Sequence, residues 1–186
     1  MIFMKWDEED FIIHGVFVDD FATIPTSQRL KEEFETLYSR DFKVTGGSPM
    51  TSFLGLEVEQ KSEGISIHLD KYIEDLIGEY RLIHAKFIKP KAVPMSPGLL
   101  LDNSDCPELP DPVKQKKYRS MIAKVQFAAY WIRFDISYTT SQLARFCASA
   151  GPSHWAALTH LIGYLLYRPS FKIAYKCGAV GGLDGY

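Results

Sequence analysis

The sequence predicts an α+β unit followed by an all-α unit. Within residues 11–80, two apolar segments that each fold back at a turn are each followed by an amphipathic helix pattern. Residues 89–112 are rich in proline and show little periodicity, and residues 118–167 contain three helical patterns with no strand between them. The order hairpin, helix, hairpin, helix, linker and helices is typical of an α+β arrangement with a separate helical part.

The first hairpin is predicted around two adjacent carboxylates. Residues 11–18 form a short apolar run rich in β-branched side chains, which is typical of a buried strand. Extended apolar character resumes at Phe21, so Asp19 and Asp20 are expected at the tip of the hairpin. We expect Val18 to be buried with its strand neighbours and the two carboxylates to stand at an open turn.

The first helix is predicted directly after this hairpin. Its apolar residues fall at helical spacing between two candidate caps, Thr26 and Ser27, and the glycines Gly46 and Gly47. A helix there can cover one face of the strand, so we expect the other face to remain as an exposed apolar patch. The apolar stripe consists of Leu30, Phe34, Leu37 and Tyr38.

A second hairpin and helix follow at residues 53–80. Leu54, Leu56 and Val58 alternate with polar residues and are expected to share one face of a strand. After the polar turn at residues 61–64, a second alternating segment ends at Asp70, which we expect to begin and cap the next helix.

The remainder of the chain is predicted to be a linker followed by helices. The linker, residues 89–112, contains Pro90, Pro94, Pro97, Pro107, Pro110 and Pro112. Helices are expected at residues 118–131, 136–148 and 153–167, with a break and a cap at Asp135 and again at Gly151.

The charge is distributed unevenly along the chain. Residues 113–170 contain eight basic side chains and one acidic side chain, a charge of +7, so the rest must carry −9 to give the total of −2. This pattern is typical of a surface that binds a polyanion and equally of solvated helix faces, and charge alone does not separate the two. The charged residues are Lys114, Lys116, Lys117, Arg119, Lys124, Arg133, Arg145, Arg168 and Asp135.

Cysteine and histidine show no metal-binding pattern. Cys106, Cys147 and Cys177 are odd in number and widely spaced, which predicts neither a disulfide framework nor a zinc site. His154 and His160 are six positions apart and lie on different sides of the predicted helix, so His154 is interpreted as a packing or capping residue.

Aromatic residues in the helical part allow two interpretations. They could stack on nucleic-acid bases, but their helical spacing favours positions in the core. These residues are Trp131, Phe134, Tyr138, Trp155 and Tyr164.

The composition excludes several classes of protein. Of the 186 residues, 46% are hydrophobic and 24% are charged, which is typical of a globular chain and not of a disordered segment or a coiled coil. No window approaches the roughly 18 consecutive apolar residues of a membrane-spanning helix, and residues 1–10 carry an acidic run instead of the apolar core of a signal peptide. We expect an intracellular protein with no membrane partner.

The Asp19-Asp20 pair is the strongest candidate for chemistry. Mg²⁺ typically takes one or two carboxylates together with substrate phosphates and water, and two-metal phosphoryl transfer needs carboxylates on a rigid support. Aspartate is also a common turn residue, and the dipeptide by itself favours a solvated turn.

The surrounding motifs change this interpretation. Phe17-Val18-Asp19-Asp20, after an apolar strand, resembles the Tyr-Val-Asp-Asp motif of reverse transcriptases. The later motifs resemble, in the same order, those of the copia-type (Pseudoviridae-like) retrotransposon enzyme. They are Phe53-Leu54-Gly55-Leu56-Glu57-Val58, Leu69-Asp70-Lys71-Tyr72-Ile73-Glu74-Asp75-Leu76, Val93-Pro94-Met95, Tyr118-Arg119-Ser120-Met121-Ile122, Arg133-Phe134-Asp135-Ile136-Ser137-Tyr138 and His154-Trp155-Ala156-Ala157.

The resemblance implies a role for each candidate residue. Asp19 and Asp20 would be catalytic carboxylates of the palm that bind Mg²⁺ beside the 3′ end of the primer, and of the two the resemblance favours Asp19 as the direct metal ligand. The hairpin of residues 53–69 would lie near the primer-grip position and support the primer backbone, with Phe53, Leu54 and Gly55 as its primer-grip-like residues. Contacts to RNA template and DNA primer are implied for Phe17, Lys114, Lys116, Lys117 and Arg119.

The resemblance also implies a partial polymerase. Residues 1–88 would be the C-terminal part of the palm, 89–112 a linker, 113–178 the helical thumb and connection, and 179–186 the lead-in to a ribonuclease H domain. The family's other catalytic aspartate and its fingers lie upstream of the matched motifs. We therefore expect a fragment of a Pol polyprotein whose partners are those upstream and downstream segments, with weak or absent Mg²⁺ binding and no activity alone.

Two alternatives remain open from the sequence. One is a non-catalytic nucleic-acid-binding remnant of a retroelement that keeps the basic helical segment. The other is a translated remnant with no present role.

Overall fold

The computed structural model describes residues 1–18, 20–43, 49–84 and 87–176. Asp19, Gly46, Gly47, Cys177 and the segment 179–186, all named above, lie outside the described residues. The chain forms two compact units. The first contains Met1–Ser66 together with residues 174–176, and the second contains Ile67–Ile173.

The first unit contains an antiparallel three-stranded sheet followed by a helix. The predicted hairpin and helix are confirmed, whereas the strand that precedes them was not predicted. Ser27 ends the loop before the helix without a side-chain cap bond, and Thr26 instead exchanges hydrogen bonds with the Phe11 backbone. The elements are β1 (Ile2–Asp7), β2 (Asp10–Phe17), β3 (Asp20–Pro25) and α1 (Gln28–Asp41).

The second sheet corrects the predicted strand at residues 53–58. Leu54 and Gly55 have φ angles of 55° and 79°, so they form a two-residue turn in which Phe53 pairs with Leu56. Leu54 therefore leaves the strand face on which it was expected, while Leu56 and Val58 are buried. The strands are β4 (Ser52–Phe53), β5 (Leu56–Lys61), β6 (Gly64–His68) and β7 (Lys172–Lys176), of which β7 was not predicted.

The second unit is helical. The chain is mixed α and β, with two antiparallel sheets and five α-helices among the described residues, and the helix predicted to begin at Asp70 does so. The helices are α2 (Asp70–His84), α3 (Pro112–Trp131), α4 (Ser137–Ala144) and α5 (Pro152–Tyr167), with a 3₁₀ turn at Phe134–Ile136. α3 packs against both α2 and α4. The centre of the unit is filled by four fully buried side chains, Tyr118, Met121, Leu158 and Leu161.

The third predicted helix begins earlier in the chain than expected. α3 begins at Pro112 instead of residue 118 because Asp111 accepts hydrogen bonds from the Val113 and Lys114 backbone amides. An aspartate cap followed by proline in the first turn is a strong start signal, since that proline lacks an amide that would otherwise be unpaired.

The proline-rich segment packs on α5. Its backbone is irregular, as predicted, and the Lys91 amide donates to the Gly163 carbonyl over 3.0 Å. A Cβ on Gly163 would lie 2.5 Å from the Lys89 carbonyl oxygen, so only glycine permits this approach. His160 also contacts this segment, where its Nε2 donates to the Val93 carbonyl oxygen over 3.0 Å. The segment thus lies within the second unit.

His154 acts as a capping residue, which confirms one of its two predicted roles. Its Nδ1 accepts a hydrogen bond from the Gly151 amide over 2.9 Å, and its Nε2 lies 3.0 Å from the Asp102 carbonyl oxygen. Asp105 accepts from both the amide and the hydroxyl of Ser153. These bonds satisfy donors at the start of α5 that have no partner within the helix.

A buried ion pair joins the ends of α3 and α5. Arg133, 1% exposed, donates to both carboxylate oxygens of Asp135 over 3.0 and 2.9 Å and to the Arg168 carbonyl over 2.8 Å. Tyr164 donates to the same carboxylate over 2.7 Å. Burial by itself would raise the pKa of Asp135, but hydrogen bonds from Arg133 and Tyr164 outweigh burial and lower it. The predicted break at Asp135 is confirmed, whereas its carboxylate pairs with Arg133 and does not cap α4.

The two faces of the first sheet differ. α1 covers one face, where His14 stacks on Phe34 with ring centroids 3.7 Å apart. The opposite face is apolar and open, which confirms the expected patch: Trp6 is 64% exposed and Ile24 59%. Strand register and alternation assign this open sheet face to Ile2, Met4, Trp6, Phe11, Ile13, Phe17 and Ile24.

Asp135→Asn should lower the free energy of unfolding at neutral pH by about 3 kcal/mol, because Arg133 would stay buried without a counter-charge. Because the folded state lowers the pKa of Asp135, its contribution is present above the unfolded value and is lost as pH falls through the folded value. Urea denaturation at pH 7 and in steps below about pH 4 should show the difference between wild type and variant shrinking in acid. Asp75→Asn, at an exposed position of α2, is the control, and a difference that stays constant with pH would contradict this account.

Trp6→Lys combined with Ile24→Lys should reduce self-association, because a charge in the open sheet face opposes its burial against a second copy. Sedimentation velocity over a range of protein concentrations measures this effect. Leu82→Lys, at an 87% exposed position of α2, adds one charge outside the face and should leave association unchanged. A wild-type protein that is monomeric at every concentration would contradict the prediction.

Candidate functional site

The β2–β3 turn carries Asp20, one of the two predicted catalytic carboxylates. Phe17, the last residue of β2, pairs with Asp20, the first residue of β3, and Val18 follows Phe17 outside the strand. Val18 is 80% exposed, so its expected burial is wrong, since it belongs to the loop and not to the strand. Its φ of 52° is rare for a β-branched residue and costs on the order of 1–3 kcal/mol.

Of the two predicted carboxylates, Asp20 is the one that lies within the described residues. It is the first residue of β3 and is exposed, and Phe17 across the pair is 56% exposed. Oxygen ligands of this kind suit Mg²⁺, which completes its coordination with phosphates and water. Within the described ranges, no group of three or more His, Cys, Asp or Glu side chains could hold a metal ion.

The turn is supported by a packed strand. Ile12 is 2% exposed, and His14 on the same face lies between Phe34 and Thr23, whose hydroxyl is 3.2 Å from Nδ1. Burial lowers the pKa of His14, which favours a neutral ring at neutral pH. An uncharged, packed support of this kind holds the Asp20 end of the hairpin in place.

The residues implied for the primer grip form their own turn. Phe53 and Leu54 are half-buried and Gly55 is exposed at the β4–β5 turn. This turn belongs to a different sheet from Asp20, although both lie in the first unit.

The basic segment separates into free and paired charges. Arg133 is buried against Asp135, and Lys124 pairs with Glu79. Arg145 and Arg168 are exposed, as are four residues that we name the basic cluster. The basic cluster consists of Lys114, Lys116, Lys117 and Arg119, all in the first two turns of α3.

The position of the basic cluster is unfavourable for the helix. The N-terminal end of a helix carries partial positive charge, so lysines there oppose the macrodipole, and the first turn of α3 contains no acidic residue. Helix stability therefore does not account for the cluster.

Three of the five aromatic residues are not in the core, which corrects the sequence interpretation. Trp131 is 43% exposed, Phe134 57% and Tyr138 68%, whereas Tyr164 is buried as expected. Trp155 is half-buried, with its ring against Tyr118 and His84. The helical spacing of these aromatic residues indicates which of them share a helix face. It does not indicate that the side chain of Arg133, between Trp131 and Phe134, is buried.

A model of the family described as reverse transcriptase (RNA-dependent DNA polymerase) matches residues 1–97, which include the Asp20 turn and the β4–β5 turn. The chain belongs to this reverse transcriptase family. The Asp20 turn and the β4–β5 turn therefore lie in the part of the chain that defines its membership.

Related proteins come from transposons. The chain is 30% identical over 92% of its length to a retrovirus-related Pol polyprotein from transposon RE2 of Arabidopsis thaliana, and 26% identical over 88% to that from transposon TNT 1-94 of Nicotiana tabacum. It is also 30% identical over 92% of its length to a transposon Ty5-1 protein of Saccharomyces cerevisiae. These matches confirm the copia-type resemblance of the reverse transcriptase motifs.

The chain spans a small part of these relatives. It covers 11% of the RE2 polyprotein, 12% of the TNT 1-94 polyprotein and 54% of the yeast protein. No solved structure matches the chain. Within the described part of the chain, no helix combines the length and apolar character needed to cross a membrane.

Proposed function

We propose that the chain contributes a catalytic turn and a phosphate-contacting helix to an RNA-directed DNA polymerase that acts on an RNA template and a DNA primer. The observation that carries the proposal is the exposed Asp20 at a tight hairpin turn on a packed strand, inside the stretch that matches the family. A carboxylate in this position is open to a primer end and to the phosphates of a nucleotide.

Asp19 and Asp20 are the residues that would hold Mg²⁺. When bound, the ion neutralises phosphate oxygens and orients them for phosphoryl transfer. Asp20 would supply carboxylate oxygens from the first residue of β3. Its pairing with Phe17 across the hairpin fixes the position of its backbone. Phe17, exposed beside it, supplies a ring that can contact the primer.

The basic cluster is proposed to contact phosphates of the template and primer. Its four side chains are exposed and make no ion pair within the described part of the chain. Contacts of this kind position a nucleic acid without reading its sequence.

The proposed domain arrangement follows the family. Residues 1–88 would belong to the palm and residues 113–178 to the thumb and connection, joined by residues 89–112. The fingers and the remaining catalytic aspartate would come from an upstream segment and the ribonuclease H domain from a downstream one.

A non-catalytic nucleic-acid-binding role is the second candidate. It is favoured by the basic cluster, which opposes the macrodipole of α3 and is explained by a polyanion ligand without any catalysis.

Nucleotide incorporation tests the catalytic turn. The isolated chain should incorporate no dTTP on poly(rA) primed with oligo(dT), because the remaining catalytic aspartate of the two-metal site is proposed to come from an upstream segment. A chimera that carries residues 1–97 in place of the matching segment of an active copia-type enzyme should incorporate dTTP, and Asp20→Asn should reduce its rate by at least about 100-fold, since metal-held charge stabilisation is worth several kcal/mol.

The control for this experiment is Glu9→Gln, which removes an exposed carboxylate from the β1–β2 turn at the other end of β2. It should leave incorporation unchanged. Equal rates for Asp20→Asn and the parent chimera would refute the catalytic assignment, as would incorporation by the isolated chain.

Binding at several salt concentrations tests the basic cluster. Changing Lys114, Lys116, Lys117 and Arg119 to glutamine should weaken binding to all sequences similarly and flatten the salt dependence by up to about four phosphate contacts. Fluorescence anisotropy with a labelled duplex measures both effects. A control with the same charge change replaces Arg40, Lys43, Lys61 and Lys176, which are exposed elsewhere, and an equal loss in that control would reject a local contact.

A further inference from the structure

An exposed group of aromatic rings follows directly from the correction reported above. Trp131, Phe134 and Tyr138 lie within eight consecutive positions at the end of α3, in the 3₁₀ turn and at the start of α4, and none is covered. We name this group the aromatic surface. Three exposed rings in one short segment are typical of an interaction site, because each ring can bury a large apolar area against a partner.

The backbone that carries the aromatic surface is fixed. Ile132, Arg133 and Ile136, which alternate with the exposed rings, are at most 1% exposed. The Arg133 amide donates to the Ala128 carbonyl over 2.8 Å, and its guanidinium is bound as described above. The buried side chains of Ile132, Arg133 and Ile136 thus fix the backbone in a position that leaves the three rings exposed.

Trp131 is further supported by its own helix. Its ring centroid is 6.4 Å from that of Phe127, which in turn lies 5.0 Å from Tyr72 of α2. A ring that is supported on one side and open on the other loses little freedom when a second flat ring stacks on it.

The surrounding charge selects the ligand. Asp135 is the only acidic residue between positions 113 and 170, and its carboxylate is bound to Arg133 and Tyr164. Arg168 is exposed, and its carbonyl accepts from Arg133, so its backbone lies beside the aromatic segment. Aromatic rings in a segment that carries a charge of +7, and whose single carboxylate is paired, suit a polyanion with flat rings.

The same helix carries cations at its other end. α3 has 20 residues and is therefore about 30 Å long, with the basic cluster in its first turns and Trp131 as its last residue. Proteins that bind single strands combine a basic track with aromatic rings on which bases stack.

We infer that the aromatic surface binds unpaired bases of a single-stranded nucleic acid by stacking, while the basic cluster holds its phosphates. The phosphate part rests on the proposed function, and the stacking part rests on the exposed rings alone. In a duplex the bases are stacked on one another, so the aromatic surface should favour single strands.

Two labelled strands of equal charge separate stacking from phosphate binding. One is dT12, and the other is a 12-mer of abasic sites that has the same phosphates and no bases. In anisotropy titrations, wild type should bind dT12 more tightly than the abasic strand. Phe134→Ala and Tyr138→Ala should each weaken dT12 binding by about fivefold or more and leave abasic binding unchanged.

Tryptophan emission gives a second measurement. dT12 should quench wild-type emission, and Trp131→Leu should remove that quenching. Trp6→Leu, which changes an exposed tryptophan of the first sheet, should retain it. Circular dichroism melts of all variants check folding, and the exposure of the three rings predicts small changes in melting temperature.

The outcomes separate the two parts of the inference. Equal wild-type affinity for both strands, or an unchanged preference in the Phe134→Ala and Tyr138→Ala variants, overturns stacking and leaves phosphate binding intact. An affinity for the abasic strand that stays unchanged when the basic cluster is neutralised overturns the phosphate contact and leaves stacking intact. Loss of abasic binding in the aromatic variants also overturns stacking, because it assigns the rings a role that does not involve bases.

Discussion

The helical unit depends on one buried guanidinium. Arg133 cannot lose its charge and presents five donors, so its interior position requires acceptors from several elements at once. Asp135 and the Arg168 carbonyl provide them, and Tyr164 satisfies the same carboxylate. A buried pair of this kind adds little stability relative to apolar side chains, but removal of one partner is costly. The pair therefore acts by fixing how the end of α3 meets the end of α5.

This constraint determines which side chains face solvent. Ile132, Arg133 and Ile136 are buried, and the neighbouring rings of Trp131, Phe134 and Tyr138 are left exposed. The exposed rings are consequently a by-product of an interior polar network, and the surface they form inherits the rigidity of that network.

Sequence patterns predicted most elements because their signals are local. The β2–β3 hairpin follows from an apolar run broken by two aspartates, and α2 from a clear apolar stripe after Asp70. β7 could not be predicted, because its pairing partner is distant in the chain and edge pairing has no local signature. Leu54 was misassigned because a leucine with positive φ is rare, so alternation was the stronger signal. The start of α3 at Asp111 and Pro112 was readable, but the proline was counted with the linker.

The candidate site was predicted in part. Phe17 and Asp20 are candidates because of the order of the motifs, since an Asp-Asp pair alone is a common turn. The burial of Val18 and of Trp131, Phe134 and Tyr138 was predicted incorrectly for related reasons. Periodicity assigns residues to faces, but only the tertiary contacts decide which face is inside and where a strand gives way to its turn.

The close approach at Gly163 has a consequence for how this protein can be divided. Because the Lys91 amide bonds to the Gly163 carbonyl where no side chain intervenes, the proline-rich stretch is laid down on α5 and does not hang free between helices. Because residues 89–91 are held against α5, this part of the stretch should resist proteolysis. A fragment that begins after this stretch would expose apolar residues of α5 to water. The shortest fragment that keeps the helical unit whole must therefore retain this stretch together with α2.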